Sequence, residues 1–204
     1  MRISALVLAG GESKRFGKNK LFEEFKGKPL ILWTLELVKS VEFHERIIVL
    51  NPKNLELYIQ MGIDGFNVIV NEGYREGMAS SIRVGMSRAI DSRSDAVMIF
   101  LSDMPFIKTE TILRLMNVME ENHKPIVIPR YGMKRGNPVL IRREVFHLAM
   151  GLKGDIGMRR IVENRKDLVE FVQVLDPGVR MDIDEMADVE DLEWGYLGSR
   201  NSEE

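Results

Sequence analysis

Short apolar runs alternate along the chain with stretches whose apolar residues recur at helical spacing. The run Ala96–Leu101 is apolar throughout, which is typical of a central strand covered on both faces. The runs predicted to be strands are Ser4–Ala9, Arg46–Leu50, Val68–Val70, Ala96–Leu101, Ile126–Pro129, Val139–Ile141 and Glu170–Leu175. The stretches predicted to be helices are Leu30–Val41, Leu55–Met61, Met78–Ile90, Glu110–Asn122, Glu144–Met150, Ile156–Asn164 and Val189–Gly195. This alternation predicts an α/β fold, a three-layer α/β/α sandwich around a mostly parallel sheet.

One segment breaks the alternation. Tyr131–Asn137 is flanked by Pro129 and Pro138 and is predicted to be a hairpin or a loop. No low-complexity linker or shift in composition divides the chain, so residues 1–198 are predicted to form a single domain. The polar end, Ser199–Glu204, is predicted to be a disordered tail.

Composition and charge exclude several classes of function. The chain has 204 residues, 45% of them hydrophobic, and 29 Lys and Arg against 31 Asp and Glu give a formal net charge of -2. We therefore expect no nucleic-acid partner, because such proteins normally carry a basic excess. There is no cysteine, and His44, His123 and His147 are scattered, which excludes disulfides, thiolate nucleophiles and thiolate zinc sites. The chemistry is expected to use oxygen ligands and cationic side chains.

The N-terminus carries no visible export or membrane signal. Its apolar run, Ile3–Ala9, is interrupted by Ser4 and stops at Gly10-Gly11, so it is too short to span a membrane. It also lacks the small-residue cleavage pattern of a signal peptide. We expect a cytoplasmic protein with no membrane partner.

The first predicted strand leads directly into a glycine-rich loop. In Leu8-Ala9-Gly10-Gly11 the glycines allow backbone N–H groups to close on a ligand, and Arg15 and Lys20 add charges suited to phosphates. The spacing fits neither a Walker A loop nor a Gly-x-Gly-x-x-Gly fingerprint. A flexible turn with solvated cations is the alternative. The position after a first strand, where open α/β sheets bind ligands, favours a phosphate site.

The motif Leu-Ala-Gly-Gly-x3-Arg-x-Gly-x2-Lys resembles the signature loop of nucleotidyltransferases that move NMP from an NTP onto a phosphate or sugar phosphate. Over Leu8–Leu192 the chain is similar to the molybdenum cofactor cytidylyltransferases and guanylyltransferases. The resemblance implies the Rossmann-like sheet of nucleotide-diphospho-sugar transferases. It implies NTP contacts from Leu8, Ala9, Gly10, Gly11, Arg15, Lys20, Ser80, Ser81 and Asp103. Within that set, Lys20, Arg15 and Asp103 are implied to be catalytic.

The segment Gly77–Arg83 opens a predicted helix. Apolar residues recur every four positions along this helix and define a buried stripe: Met78, Ile82, Met86 and Ile90. Ser80 and Ser81 are therefore expected in the first turn, off the stripe, where free N–H groups and hydroxyls meet a ligand. An ordinary serine-rich helix start is the alternative. The resemblance implies that both serines recognise the base or the ribose.

Acidic residues follow the most apolar strand and recur near the C-terminus. Asp103 ends that strand, where a carboxylate is costly to desolvate unless a cation pairs with it. A helix N-cap or a turn is the alternative there. Asp182 and Asp184 lie two apart, which places both carboxylates on one face of an extended segment, although an acidic start to the last helix fits as well. The resemblance implies that Asp103 and Asp184 hold Mg²⁺, with Asp182 next to it or bridging it.

Two further segments resemble family motifs. Arg130–Leu140 is similar to the family's Arg-Gly-His-Pro segment, and Gly154–Arg159 is similar to its Gly-Asp-x-Gly-x-Arg stretch. Asn137 stands where His is usual, which keeps a hydrogen-bonding group but removes a titratable one. A basic surface hairpin is the alternative for the first segment. The acceptor-binding residues implied by the resemblance are Arg135, Gly136, Asn137, Pro138 and Asp155.

These residues together predict a Mg²⁺-dependent transfer of NMP to a phosphorylated small-molecule acceptor, whose phosphate attacks the α-phosphorus of the NTP and displaces pyrophosphate. Gly10-Gly11 looks like the guanylyltransferase loop, because cytidylyltransferases usually show Leu-Ala-Ala-Gly. Three segments look like the cytidylyltransferases and favour CTP over GTP: Gly77–Arg83, Gly154–Arg159 and Asp182–Asp184. The resemblance implies the pyranopterin phosphate of the molybdenum cofactor as acceptor, and transient contact with a molybdoenzyme.

Two alternatives stay open. Sugar-phosphate and polyol-phosphate nucleotidyltransferases share the first loop and Asp103. A non-catalytic carrier of a nucleotide or cofactor is the second alternative, although the residues that turnover requires, Arg15, Lys20, Asp103 and Asp184, are all present.

Overall fold

The computed structural model describes residues 1–11 and 19–183. The strands are β1 (Ile3–Ala9), β2 (Glu24–Phe25), β3 (Lys28–Pro29), β4 (Glu45–Leu50), β5 (Asn67–Val70), β6 (Ala96–Leu101), β7 (Ile126–Tyr131), β8 (Lys134–Arg135), β9 (Val139–Arg142) and β10 (Val169–Gln173). The α-helices are α1 (Leu30–Lys39), α2 (Pro52–Gln60), α3 (Met78–Asp91), α4 (Thr109–Glu121), α5 (Phe146–Met150) and α6 (Arg159–Asn164).

One sheet of eight strands runs through the molecule in the order β10-β7-β9-β6-β1-β4-β5, with β8 paired to β7. β1 lies parallel to β4 on one side and to β6 on the other, so that Leu8 is opposite Val49 and Leu101. β5 is parallel to β4, and β10 is parallel to β7. In this sheet β8 and β9 run antiparallel to their neighbours. The predicted mostly parallel sheet is confirmed.

Helices cover both faces of this sheet. α1, α2 and α4 pack on one face together with Val7 of β1, and α3, α5 and α6 pack on the other face together with Leu8. Successive residues of β1 thus alternate between two cores, as strand geometry requires. Ser4 is the polar residue of this strand, and its hydroxyl lies 2.7 Å from the hydroxyl of Ser94, which satisfies both buried groups. The predicted three-layer sandwich is confirmed.

Helix boundaries differ from the predicted ones where caps decide them. α2 begins at Pro52, earlier than predicted, because the Asn51 side chain accepts a hydrogen bond from the Asn54 N–H at 2.8 Å and proline suits the first helical position. α6 begins at Arg159 and not at Ile156.

Other predicted elements are shorter than expected or lie outside the description. The predicted helix Glu144–Met150 is a 3-10 turn over Arg143–Val145 followed by α5. The predicted helix Val189–Gly195 and the tail Ser199–Glu204 lie outside the described residues. Over residues 1–11 and 19–183, no helix has the length and apolar character needed to cross a membrane.

Two hairpins interrupt the alternation of strand and helix. The one predicted at Tyr131–Asn137 is confirmed, since Tyr131 of β7 pairs with Lys134 of β8. The other, formed by β2 and β3, was not predicted because strands of two residues carry no measurable periodicity. It is attached to α1 by the Trp33 indole, which donates to the Phe25 carbonyl at 3.0 Å.

A buried carboxylate directs the chain back to the sheet after β10. Asp176 is 3% exposed and accepts hydrogen bonds from the Lys108 N–H (2.9 Å), the Thr111 hydroxyl (2.7 Å) and the Gly178 N–H (2.9 Å). These bonds fix the 3-10 turn Pro177–Arg180 against the start of α4. The following residues, 181–183, reach the end of β6 as a result.

Replacing this carboxylate is expected to destabilise the protein. Asp176→Ala leaves three donors without their acceptor, so we expect the free energy of unfolding to fall by about 3 kcal/mol. Urea denaturation measures the change. Asp64→Ala is the control, because Asp64 pairs with Lys39 at the surface and is 90% exposed, so its midpoint should match wild type. Equal midpoints for the two variants would contradict the proposed role of Asp176.

Candidate active site

Two loops leave the sheet in opposite directions at the carboxyl ends of β1 and β6. After β1 the chain adds β4 and β5 on one side, and it returns to add β6 on the other side. Open α/β sheets bind their ligands at such a switch point. Gly10 follows β1 there, and Asp103 lies just after β6. The Ser102 hydroxyl donates to the Leu8 carbonyl at 2.8 Å and holds the two strand ends together.

Buried asparagine side chains shape the start of the glycine loop. The Asn51 amide donates to the carbonyls of Gly10 (3.1 Å) and Gly11 (3.3 Å). The Asn54 amide donates to the Ala9 carbonyl at 2.6 Å. Both asparagines are at most 1% exposed. The carbonyls of Ala9, Gly10 and Gly11 thus have partners from the residue after β4 and from α2, which fix the start of the loop.

Asn51, Asn54 and Asn71 were missing from the predicted site. Asn51 directly follows β4, and Asn71 directly follows β5. The available signal was this position, since the first polar residue after a buried parallel strand lies at the ligand-binding edge of the sheet.

Ser80 and Ser81 occupy the first turn of α3 but do not have free hydroxyls. They are 3% and 6% exposed, and the Asn71 amide donates to their hydroxyl oxygens at 2.8 and 3.0 Å. The Ser80 hydroxyl in turn donates to the Gly77 carbonyl at 2.8 Å. The Ser80 hydroxyl therefore makes its hydrogen bonds within the fold, which corrects the expectation that it faces a ligand. Ser81 lies against Gly10, where a Cβ would come within 2.9 Å of the Ser81 hydroxyl oxygen.

The start of α3 packs directly on the segment Gly154–Arg159. Gly77 has a φ of 98°, and a Cβ on it would lie 2.5 Å from the Asp155 nitrogen, so only glycine fits. The Asp155 carboxylate accepts a hydrogen bond from the Met78 N–H at 3.2 Å. The Asp155 carboxylate thus caps the N-terminus of α3, and its assignment to the acceptor stays a prediction.

Lys20 and Asp103 form an ion pair at the switch point. The Lys20 Nζ lies 2.9 Å from the Asp103 Oδ2 and donates to the Ile183 carbonyl at 2.8 Å. The Ile183 N–H donates to the Asp103 carbonyl at 3.0 Å. Both charged side chains are largely buried, at 14% and 21% exposure. Lys20 is thus the cation that offsets the desolvation of the Asp103 carboxylate, and this pairing was not predicted.

The residues predicted to hold a metal are described only in part. Asp182 is exposed and adjoins Ile183, while Asp184 and Arg15 lie outside the described residues. Over residues 1–11 and 19–183, no three His, Asp or Glu side chains come together as a metal site. Mg²⁺ in nucleotide sites is held by one or two carboxylates together with waters and substrate phosphates. Asp103 with one further acid from the 182–184 segment fits that donor set.

A cavity of about 310 Å³ opens on the α3 face of the sheet, where Leu8 of β1 and Leu101 of β6 are part of its lining. Its apolar lining includes Leu8, Ile82, Ile99, Ile128, Val139 and Met158. Its polar lining includes three of the predicted acceptor-binding residues, Arg135, Gly136 and Asn137, together with Arg159. Pro138 and Asp155 are absent from the lining. The cavity suits a ligand with an apolar body and an anionic group.

The two arginines of this cavity share one carboxylate. Arg159 lies 2.8 Å and Arg135 3.3 Å from the same Oε1 oxygen of Glu163. The hydrogen bond from Arg159 lowers the pKa of Glu163 below its usual range, so this carboxylate stays charged at neutral pH. Glu163 was not predicted, because a Glu four residues after an Arg is ordinary on a helix surface.

The chain was compared with known protein families and curated proteins. A family model described as "MobA-like NTP transferase domain" matches residues 5–169. A probable molybdenum cofactor guanylyltransferase of Pyrococcus horikoshii is 31% identical over 135 residues, which cover 65% of this chain and 64% of that protein. The match thus spans less than two thirds of that relative's length. Nicotine blue oxidoreductase of Paenarthrobacter nicotinovorans is 24% identical over 190 residues, 89% of this chain and 92% of that protein.

Solved structures share the fold over nearly the whole chain. Rv0371c from Mycobacterium tuberculosis superposes with a TM-score of 0.84 at 28% identity, covering 94% of this chain and 97% of that one. A complex of the same mycobacterial protein with manganese gives a TM-score of 0.80 at 26% identity, with coverages of 94% and 98%. The predicted α/β fold is confirmed.

Because Gly10 lies against Ser81, a methyl group added at Gly10 should destabilise the protein, whereas one added at Gly11 should not. Gly10→Ala is expected to lower the free energy of unfolding by about 1–2 kcal/mol, because Ser81 must shift. Gly11→Ala is the matched control, since no atom of residues 1–11 and 19–183 lies within 4 Å of a Cβ there. Urea denaturation of Gly10→Ala, Ser81→Ala and the double variant measures the coupling. Strictly additive losses would contradict the contact.

Proposed function

Because the chain belongs to the MobA-like NTP transferase domain family, we propose that it transfers a nucleoside monophosphate from an NTP to a phosphorylated, pterin-type acceptor and releases pyrophosphate. One observation carries this proposal. Gly10 and the Lys20–Asp103 ion pair lie at the switch point of the sheet, and the strands that lead to them, β1 and β6, also line an apolar cavity that contains two arginines. The start of the glycine loop with Lys20 and Asp103 suits a triphosphate. The cavity suits an acceptor with an apolar body and an anionic group.

GTP is the nucleotide that these observations favour, in place of the CTP expected from the sequence. Gly10 stands where cytidylyltransferases usually carry Ala, and a Cβ there would come within 2.9 Å of the Ser81 hydroxyl. Two of the segments that favoured CTP, Gly77–Arg83 and Gly154–Arg159, contact each other and support the same helix start. They therefore count as one packing unit and not as two independent signs of nucleotide preference. The guanylyltransferase name of the Pyrococcus relative adds to this argument.

We assign the binding of a divalent cation, Mg²⁺ in the cell, to Asp103 together with Asp182 and Asp184. The donor chemistry fits, because hard cations at phosphates take a few carboxylate oxygens. When bound, such a cation neutralises charge on the phosphates during transfer. The manganese complex of the mycobacterial neighbour supports a divalent cation at this kind of site.

The chain's own residues position the reactants. Lys20 is held 2.9 Å from Asp103 and adds a cationic donor beside the phosphates, and Arg15 is assigned to the same phosphates on the strength of the family resemblance of its motif. The nucleophile is the acceptor phosphate, which forms a bond to the α-phosphorus as the bond to pyrophosphate breaks. No enzyme nucleophile is needed, and catalysis comes from positioning and charge neutralisation.

The cavity provides the acceptor site in this proposal. Its apolar lining accommodates a flat ring system, and Arg135 and Arg159 bind an anionic group. Glu163 occupies both guanidinium groups in the absence of that anion. Binding of the acceptor therefore replaces the Glu163 carboxylate by the anionic group of the acceptor, so both guanidinium groups stay paired with an anion.

Pyrophosphate release tests the proposed function. Each of the four NTPs is supplied with Mg²⁺ and with purified molybdopterin cofactor, and we expect release with GTP, weaker release with CTP, and none without acceptor. Asp103→Ala and Lys20→Ala should each lower the rate by about a hundredfold, because each removes one charged contact at the phosphates. Lys39→Ala is the control, since its ion pair with Asp64 lies at the surface.

Three outcomes would contradict this function. Tight nucleotide binding without pyrophosphate release would favour a carrier. Release with a sugar phosphate or a polyol phosphate in place of the pterin would change the acceptor. Oxidation of NADH or NADPH without any use of NTP would favour an oxidoreductase, in line with the name of the Paenarthrobacter relative.

The arginine pair predicts a specific change in acceptor kinetics. Arg159→Ala should raise the KM for the acceptor about tenfold and leave the KM for the NTP unchanged, because one charged contact is lost. Glu163→Gln should lower the acceptor KM, since a competing carboxylate is removed. Arg165→Ala is the control, because Arg165 pairs with Asp167 at the surface. Parallel changes in the two KM values would place Arg159 outside the acceptor site.

A further inference from the structure

Ile183 makes backbone contacts with both members of the central ion pair. Its N–H donates a hydrogen bond to the Asp103 carbonyl at 3.0 Å, and its carbonyl accepts a hydrogen bond from the Lys20 ammonium at 2.8 Å. In the sequence it lies between Asp182 and Asp184, the two acids assigned to the metal. A single residue thus connects the acidic segment to Asp103 and to Lys20.

The Ile183 side chain is inserted into a small apolar pocket separate from the two main cores. It is 2% exposed and packs with Phe25 and Leu30, and the half-buried rings of Trp33 and Phe106 complete the pocket. The Phe25 ring meets these two rings edge to face, with centroids 6.2 Å and 5.6 Å away. The hairpin of β2 and β3 contributes Phe25 and has no catalytic group assigned to it. Its place in the fold is to hold this pocket.

We propose that Ile183 is a positioning residue for the divalent cation, and that the pocket of Phe25, Leu30, Trp33 and Phe106 exists to hold it. This proposal rests on the metal assignment of the proposed function. Neighbouring Cα atoms are only 3.8 Å apart, so anchoring Ile183 restricts the distance between Asp103 and the acids on either side of it. Ile183 is then fixed before the cation binds, which lowers the conformational entropy that the adjoining acids lose on binding.

A purely structural role for Ile183 predicts a different result. A core isoleucine contributes to stability through burial alone, and truncating it lowers the melting temperature without changing the affinity for a cation. Ile112 of α4 is such a residue, since it is fully buried and lies in the main core between the sheet and helices α1, α2 and α4. Ile112→Ala is therefore the matched control for Ile183→Ala.

The experiment measures Mn²⁺ binding by the EPR signal of the free ion, in the presence of a non-hydrolysable GTP analogue. For Ile183→Ala we expect the Mn²⁺ dissociation constant to rise about tenfold, with kcat at saturating metal within threefold of wild type. Ile183→Val retains most of the anchor and should stay within twofold of wild type. Ile112→Ala should lower the melting temperature but leave Mn²⁺ binding unchanged.

Two results would overturn the proposal in distinguishable ways. If Ile183→Ala binds Mn²⁺ as wild type does, the anchor has no effect on the cation and the positioning role is wrong, while the metal site stands. If the wild-type protein with nucleotide binds no Mn²⁺, the metal assignment of the proposed function fails and the positioning role fails with it. Should Ile183→Ala fail to fold, Leu30→Ala, which removes one wall of the same pocket, decides the question: the proposal predicts a lower Mn²⁺ affinity than that of Ile112→Ala, and equal affinities would overturn it.

Discussion

The carboxyl group of Asp103 is the point on which the arrangement of this site depends. A carboxylate at the end of a buried strand is destabilised unless a cation neutralises it, and Lys20, 83 residues away in the sequence, supplies that cation. The Lys20 ammonium also donates a hydrogen bond to the carbonyl of Ile183, which lies 163 residues after Lys20 in the sequence. The end of the glycine loop, the end of β6 and the C-terminal segment are therefore held together by one ion pair. Replacement of either charge should affect folding and chemistry together.

Hydrogen bonds from short polar side chains also fix the backbone around the candidate site. Asn51 satisfies carbonyls of the glycine loop, and Asn71 orders the two serines at the start of α3. Asp155 caps the same helix from a distant loop. Each of these groups gives a buried backbone or hydroxyl group a fixed partner, so Gly10, Gly11 and the first turn of α3 are held in place by the fold itself.

Much of the fold and part of the site were predictable from sequence. Strand-length apolar runs identified β1 and β6, and from them the sequence placed Gly10 and Asp103 at the same edge of the sheet. The partner of Asp103 was not predictable, because no local pattern relates residues 83 positions apart. Glu163 and Asn71 were missed for a related reason, since each is an unremarkable polar residue in its own segment. The CTP preference treated Gly77–Arg83 and Gly154–Arg159 as independent, and their direct contact removes that independence.

By itself, the sequence determined the alternation of strands and helices, the absence of thiol chemistry, and the loops at which a nucleotide would bind. These follow from local periodicity and residue type, which report burial and chemical capacity. Only the tertiary structure decided which cation faces Asp103, that Ser80 is engaged by Asn71, and that Asp155 caps α3. Such pairings depend on how the sheet orders its strands, because residues far apart in the chain become neighbours only when their strand ends meet at the same edge.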